Sequence, residues 1–228
     1  MTRPWTVNRP GPLTPRGEGL WTIDDQLPGP RSIPRRMTIV KRDDGLLFYN
    51  AVPVPDSTLD EINKLGTPRH LVLPNHFHAL DAHPFTEKLK VEAWACAAGL
   101  KELSDRGVKA SDIAHLPSQT GQRWFSVTGF LTHEQVLFAH GALIAADVFT
   151  NVPHQKGLTG LVMRLIGFTA AHPLLPKPVR KRVGRDLKAV KALFEDFAQL
   201  SPKQLIPSHG DVFTGDCAAA LRQIAATL

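Results

Sequence analysis

Three stretches of this chain carry side chains able to hold a metal ion. "LVLPNHFHALDAH", Leu71 to His83, sets three histidines and an aspartate behind an apolar run; "LIAADVF" places Asp147 after a second run, and "LIPSHGD" places His209 after a third. Imidazole nitrogens and carboxylate oxygens suit a borderline cation such as Zn²⁺. A His-x-His pair in an extended segment turns two rings to the same side. A metal so held lowers the pKa of a bound water and polarises an ester, amide or phosphoryl oxygen. Lone histidines are more often packed or exposed than ligating, and the chain has 10 of them; His70, His115, His154 and His172 take that reading. For His76, His78, Asp147 and His209 the order counts for more: strand, His-x-His, long gap, strand, Asp, insertion, strand, His-Gly. That order favours a metal centre over coincidence.

Such residues work only if strands carry them to one place, and strand ends in layered α/β folds are where sites are assembled. The first 36 residues are rich in Pro, Gly and Arg and read as an extended arm laid over a domain edge. "MTIVKR" and "LLFYNAV" flank the turn signal Asp43-Asp44-Gly45, a β-hairpin. "PDSTLDEINKLG" predicts a short helix with Ser57 as N-cap, Leu59, Ile62 and Leu65 on one face and Gly66 as its stop. "RHLVLPNHFH" follows as a buried strand running into a loop, and Pro84 opens another helix.

"VEAWACA" then reads as a strand, Gly99 to Asp105 as a charged helical stretch, and "RWFSVTG", "EQVLFAH" and "ALIAADVF" as strands, the last two joined in a hairpin at His140-Gly141. Leu158 to Phe168 is almost all apolar apart from Arg164 and too short to cross a bilayer, so core packing, a lid or a subunit contact must hide it. A homodimer contact is the last of these. A long helix is expected over about Val179 to Leu200, a short strand at "QLIPSHGDVFTGD", and a closing helix from Cys217 to Leu228. No internal repeat of solenoid spacing occurs. Strands interleaved with helices in both halves predict an α/β architecture with helices packed outside two sheets.

At 228 residues and 25.0 kDa, 43% of them hydrophobic, the chain has material for a sizeable core. The expected organisation is the arm, residues 1–36, and one domain, residues 37–228, with a helical insertion at about 152–200. No run of about 18 apolar residues occurs and the start lacks a secretory apolar stretch, so a cytoplasmic protein without a membrane span is expected. Cys96 and Cys217 lie far apart, outside metal-ligand spacing, and read as free thiols. The formal charge is +6, concentrated in "KPVRKRVGRDLKAVK". Val179, Val183, Leu187, Val190 and Leu193 recur there at helical spacing and turn the cations outward, as on a solvated helix face. No aromatic residue is interleaved to stack bases, which disfavours nucleic acid as a partner; a small-molecule substrate is the expectation.

The sequence resembles the metallo-β-lactamase fold superfamily, and within it a branch classed as a domain of unknown function, through "LWTID", "RRMTIVKRDDGLLFYNAVPV", "LG", "LVLPNHFHAL", "AADVFTN" and "IPSHGD". The resemblance spans roughly Leu20 to Leu228 and implies a four-layer αββα sandwich, two metal ions between its sheets and mostly hydrolytic chemistry. The first metal motif of the superfamily, His-x-His-x-Asp-His, puts His76 and His78 on its first two histidines, but places Leu80 where a metal-binding Asp belongs and Asp81 where a His belongs. A slip of one residue brings in Asp81 instead, with His83 nearby. Where the superfamily has Gly-His ahead of a strand, this chain has Gly129-Phe130, and a phenyl ring binds no zinc; His133 lies three residues on, in a turn with Glu134 and Gln135 that favours a surface position. The bridging aspartate corresponds to Asp147 and the last histidine to His209, with Asp211 either orienting it or beginning the next turn. The resemblance therefore implies one divalent ion, zinc ahead of iron or manganese, held by His76, His78, Asp147 and His209, with Asp81, His83 or His133 as a further ligand or general base. The implied activity is hydrolysis of a small ester, lactone, thioester or phosphoester by a metal-activated water. Leu80 and Phe130 keep open the alternative of a non-catalytic binding or scaffold protein whose site has decayed and holds no metal.

Overall fold

The computed structural model describes residues 3–29, 33–154 and 156–228, without the side chains of residues 159, 182 and 183, so the expectations for Arg182 and Val183 lie outside the described residues. The chain packs as two compact units, Met1–Gln122 and Arg123–Leu228.

In the first unit, strands β1 (Thr14–Pro15), β2 (Leu20–Gln26), β3 (Pro34–Arg42) and β4 (Gly45–Tyr49) precede helix α1 (Asp56–Leu65), strand β5 (Pro68–Val72), helix α2 (Ala82–Leu89), strand β6 (Glu92–Ala95), helix α3 (Leu100–Asp105) and strand β7 (Ser111–Asp112). They form one seven-stranded sheet in the order β1-β2-β3-β4-β5-β6-β7, antiparallel as far as β4 and parallel beyond it. The Pro/Gly-rich arm therefore ends in paired strand: "LWTIDDQ" runs in full register beside β3, from Leu20 opposite Val40 to Gln26 opposite Pro34.

Period-2 alternation puts Ile23, Met37, Ile39, Leu46, Phe48 and Leu71 on one face of this sheet, where they pack with Leu59 and Ile62 of α1, Phe85 of α2 and Leu103 of α3. Residues of the opposite face, among them Thr38, Val40, Leu47, Tyr49 and Val72, are buried as well. That explains why β3, β4 and β5 read as nearly continuous apolar runs rather than alternating ones. Helix α1 starts two residues earlier than its Ser57 signal predicts, with Pro55 in the N-cap position and no side-chain cap.

At the hairpin, Arg42 donates from Nε to Asp44 at 2.9 Å and from Nη2 to the Pro117 carbonyl at 2.8 Å, which ties the turn to the end of the unit. The Trp94 indole N–H donates to Nδ1 of His70 at 3.1 Å; since indole only donates, Nε2 of His70 carries the proton and donates to Asp44 at 3.0 Å. Lone His70 thus takes the packed role expected of it. The Arg42 hydrogen bonds, helped by His70 and opposed by burial, lower the Asp44 carboxyl to about 2 from 3.8. Because the folded pKa is depressed, this stabilisation is complete above the unfolded value and disappears as pH falls through the folded one. Melting temperatures of wild type and Asp44→Asn should therefore differ at neutral pH and converge between about 3.8 and about 2. A gap that persists in acid would show that the contact does not depend on the ionised carboxylate.

The second unit contains β8 (Arg123–Ser126), β9 (Gln135–Ala139), β10 (Ala142–Ala145), α4 (Gly157–Leu165), α5 (Lys177–Val183), α6 (Leu187–Gln199), β11 (Gln204–Pro207) and α7 (Cys217–Ala226). Its four-stranded sheet has the order β11-β10-β9-β8, with β10 parallel to β11 and the other pairs antiparallel. The β9–β10 hairpin turns where expected, with His140 at φ 49° and Gly141 at φ 73°, the pair of positive values that a tight two-residue hairpin requires. Val136, Leu143, Ala145 and Leu205 pack with Val190, Phe194 and Phe197 of α6 and Leu221 and Ile224 of α7. The helix expected from about Val179 to Leu200 is in fact two: α5 stops at Gly184, and Asp186 starts α6 by accepting from the backbone N–H groups of Lys188 and Ala189. An aspartate that caps a helix cannot also sit inside it, and periodicity alone did not reveal the break.

Candidate metal centre

In the first unit, β5 delivers the chain to Pro74-Asn75, and Asn75 then bends it. Its side chain accepts from the Phe77 N–H at 2.9 Å and its carbonyl from the His78 N–H at 3.1 Å, so His76–His78 is one turn of 3₁₀ helix rather than extended chain. The expectation that His-x-His turns both rings to one side is corrected by this turn: at three residues per turn, positions i and i+2 lie about 120° apart around the axis. The His76 ring packs against Phe77 with centroids 4.3 Å apart, and the His76 carbonyl accepts from Arg106 at 2.6 Å. Burial, and then the charge of Arg106, lower the His76 pKa against an opposing pull from Glu102, which favours the neutral imidazole that a metal needs.

Asp81 and His83 follow this turn. The Asp81 side chain is buried, and its Oδ2 accepts from Nη1 of Arg35, whose Nη2 reaches Asp25 at 2.7 Å; Arg3 lies 3.6 Å from the other Asp81 oxygen. The carboxylate expected to serve as a further ligand or base is thus engaged in a buried ion-pair network that fixes the start of α2 under the histidine turn. His83, in the first turn of α2, borders a cleft with Arg3, Phe77, Leu80 and Arg106.

In the second unit the geometry follows from strand direction. Strands β10 and β11 are parallel neighbours with Ala145 opposite Pro207, so the residues leaving their C-terminal ends emerge side by side. Oδ1 of Asp147 lies 3.5 Å from Nε2 of His209, and both side chains are only partly exposed. Two clamps hold the loops that carry them. The backbone of Asn151 donates to the His209 carbonyl at 3.1 Å and accepts from the Asp211 N–H at 2.8 Å. Between them Gly210, at φ +92°, approaches so closely that a Cβ there would lie 2.2 Å from the Asn151 oxygen. Asp211 contributes to this clamp through its backbone.

The second clamp is a residue that the sequence reading passed over. Glu134, just before β9, is fully buried, and its carboxylate accepts from the backbone N–H groups of Ala146 at 2.7 Å, Asp147 at 2.9 Å and Val148 at 3.0 Å. Burial and the nearby Asp147 carboxylate push its pKa up to about 8, while the three N–H groups pull the other way. A single charged residue beside a histidine and a glutamine reads as a surface turn; only its position immediately ahead of an apolar strand hinted at burial. His133 is half-buried at φ 45° in that turn, and Phe130 is core, packed with Val127, Val190 and Phe194. Glu134→Gln should cost about 1–3 kcal/mol in urea unfolding, because the amide turns an N–H toward a backbone N–H that then has no acceptor. Unchanged stability would remove Glu134 from this role.

The pair Asp147–His209 fits a cation. At 3.5 Å the two atoms are too far apart for a normal hydrogen bond, yet close to the separation of about 3.3 Å that two ligands take on a tetrahedral zinc. No family model matches the sequence, and no curated protein matches it. Solved structures do. A metallo-β-lactamase from Pontibacter korlensis is 12% identical and superposes with a TM-score of 0.62 over 95% of this chain and 99% of its own. The metallo-β-lactamase FIM-1 from Pseudomonas aeruginosa, in a mono-zinc form, is 14% identical with a TM-score of 0.63 over 98% of each chain. The chain has the metallo-β-lactamase fold. A metallo-β-lactamase from Erythrobacter litoralis, 13% identical with a TM-score of 0.61 over 95% of this chain, agrees. In this α/β metallo-β-lactamase fold the second unit presents Asp147 and His209 from adjacent strand ends, and the first carries His76 and His78 directly after β5.

Proposed function

We propose that this chain is a metal-dependent hydrolase holding one divalent cation, with His76, His78, Asp147 and His209 as its ligands. The observation that carries the reading is the Asp147–His209 pair, set by two parallel strands and braced from below by Glu134. Asp147 and His209 supply two donors from the second unit, and His76 and His78 are the donors that the first unit offers after β5. One ion is favoured over two because Phe130 is part of the core and Asp81 is committed to Arg35. Zinc suits these donors best, with iron or manganese compatible.

When bound, a divalent cation supplies Lewis-acid polarisation of a carbonyl or phosphoryl oxygen and a lowered pKa for water. The chain's own residues do the rest. Glu134 fixes the backbone on either side of Asp147, and the Asn151 clamp fixes His209. His83, beside Arg3 and Arg106, is placed in this reading to carry a proton, while the two guanidinium groups attract an anionic substrate group. The substrate class is a small ester, lactone, thioester or phosphoester. The alternative, a non-catalytic scaffold, makes the opposite prediction for metal. Protein purified without a histidine tag should contain about one zinc, iron or manganese per chain and hydrolyse some member of an ester, lactone and phosphoester panel, losing activity with chelator. Metal-free protein whose melting temperature ignores added zinc would overturn the reading.

A further inference from the structure

The apolar stretch that must be hidden according to its sequence is left exposed by the described residues. It forms α4, on which Leu158 is 78% and Leu165 72% exposed, with Leu161, Val162 and Ile166 exposed beside them. Monomeric proteins seldom leave such a patch bare without a partner for it. The chain segment that bears the patch carries one sign of charge: no Asp or Glu occurs between Asp147 and Asp186, whereas Lys156, Arg164, Lys177, Arg180 and Lys181 do. The cationic helix is joined to the apolar one. The Lys177 N–H donates to the Gly167 carbonyl at 3.2 Å, and the Lys177 stem lies so close to Gly167 that a Cβ there would be 2.7 Å from it. The start of α5 is therefore fastened to the end of α4.

We propose that α4 and the start of α5 form a docking surface for an anionic lipid bilayer, with Leu158, Leu161, Val162, Leu165 and Ile166 entering the headgroup–acyl boundary and the flanking cations meeting lipid phosphates. Exposed aliphatic side chains rimmed by Lys and Arg are what an interfacial helix requires. No helix among the described residues is long and apolar enough to cross a membrane, so the chain lies on the bilayer. A second copy of this chain, one of the three ways of hiding the segment that its sequence allows, fits less well, because a two-fold contact through this face would oppose cation to cation. Nucleic acid fits less well too, since the exposed residues are aliphatic and offer no ring for bases to stack on.

The test is flotation of the full chain with vesicles of phosphatidylcholine alone or mixed with phosphatidylserine, at low salt, alongside light scattering of the free protein. Binding should be at least about tenfold greater to phosphatidylserine vesicles and should fall with salt. Leu158→Glu with Leu165→Glu should abolish binding while leaving circular dichroism and melting temperature unchanged, because both side chains are solvent-exposed. Arg164→Glu with Lys181→Glu should remove the preference for phosphatidylserine. Absence of binding to phosphatidylserine vesicles at low salt overturns the proposal. So does a solution dimer that the two leucine substitutions convert to monomer, which would make this face a contact between copies. Vesicle binding that the leucine substitutions leave intact would likewise overturn it.

Discussion

Asp147→Ala, alone or combined with His209→Ala, should empty the proposed metal centre and weaken zinc affinity by more than about 100-fold, beyond what loss of a mere supporting contact costs. The Asp147 carboxylate and the His209 ring approach to 3.5 Å from parallel strand ends, whereas the bonds from Glu134 run to the backbone N–H of Asp147 and survive removal of its side chain. The loop should therefore persist in the variant while the ligand is lost. In wild type, zinc at 100 times its Kd should raise stability by about 2.7 kcal/mol, read as a rise in melting temperature. In the variant the rise should vanish and hydrolysis should fall to the metal-free level. A variant that keeps its metal content would move the site elsewhere in the chain; a wild type that shows no zinc-dependent shift would support a scaffold.

The second large effect is expected at Arg35. This buried guanidinium binds Asp25 at 2.7 Å and also pairs with Asp81, which lies buried beneath the turn that bears His76 and His78. Arg35→Met strips two buried carboxylates of their shared cation, leaving Asp81 only Arg3 at 3.6 Å, and should cost about 3–5 kcal/mol in urea unfolding. Adding Asp81→Leu removes one of those stranded charges and should recover part of the loss, since replacing a buried pair by apolar groups costs less than breaking it. Arg35→Lys should rescue poorly, because a single ammonium cannot reproduce the forked contacts of guanidinium to two carboxylates. If the double variant were no more stable than Arg35→Met, Asp81 would not be the charge that Arg35 neutralises.

Much of the fold was legible because its signals are local. Asp43-Asp44-Gly45 and His140-Gly141 mark hairpins through backbone conformations that few residues tolerate, and the apolar runs at Leu71, Leu143 and Leu205 mark buried strands through the area they must hide. The resemblance carried by motifs such as "LVLPNHFHAL", "AADVFTN" and "IPSHGD" was enough to indicate the metallo-β-lactamase fold, although the solved neighbours share only 10–14% identity with the chain. Errors arose where one short-range pattern fitted two structures. Valines at helical spacing ran unbroken past Asp186, which caps a new helix instead. His-x-His suited a strand until the Asn75 side chain curled it into a 3₁₀ turn.

By itself the sequence determined the α/β class, the strands that precede each candidate ligand and which side chains are candidate donors, because periodicity, turn chemistry and ligand chemistry are properties of residues and their near neighbours. Only the tertiary structure decided what each polar group does. Asp81 and Asp147 are both aspartates just beyond an apolar run, yet one is neutralised by a buried arginine 46 positions away and the other faces His209 across a parallel strand pair. Glu134, inconspicuous in the sequence, becomes the brace of the site because chain direction brings the start of β9 to the end of β10. Electrostatic pairing acts through space, and the distances that govern it exist only once the strands are registered.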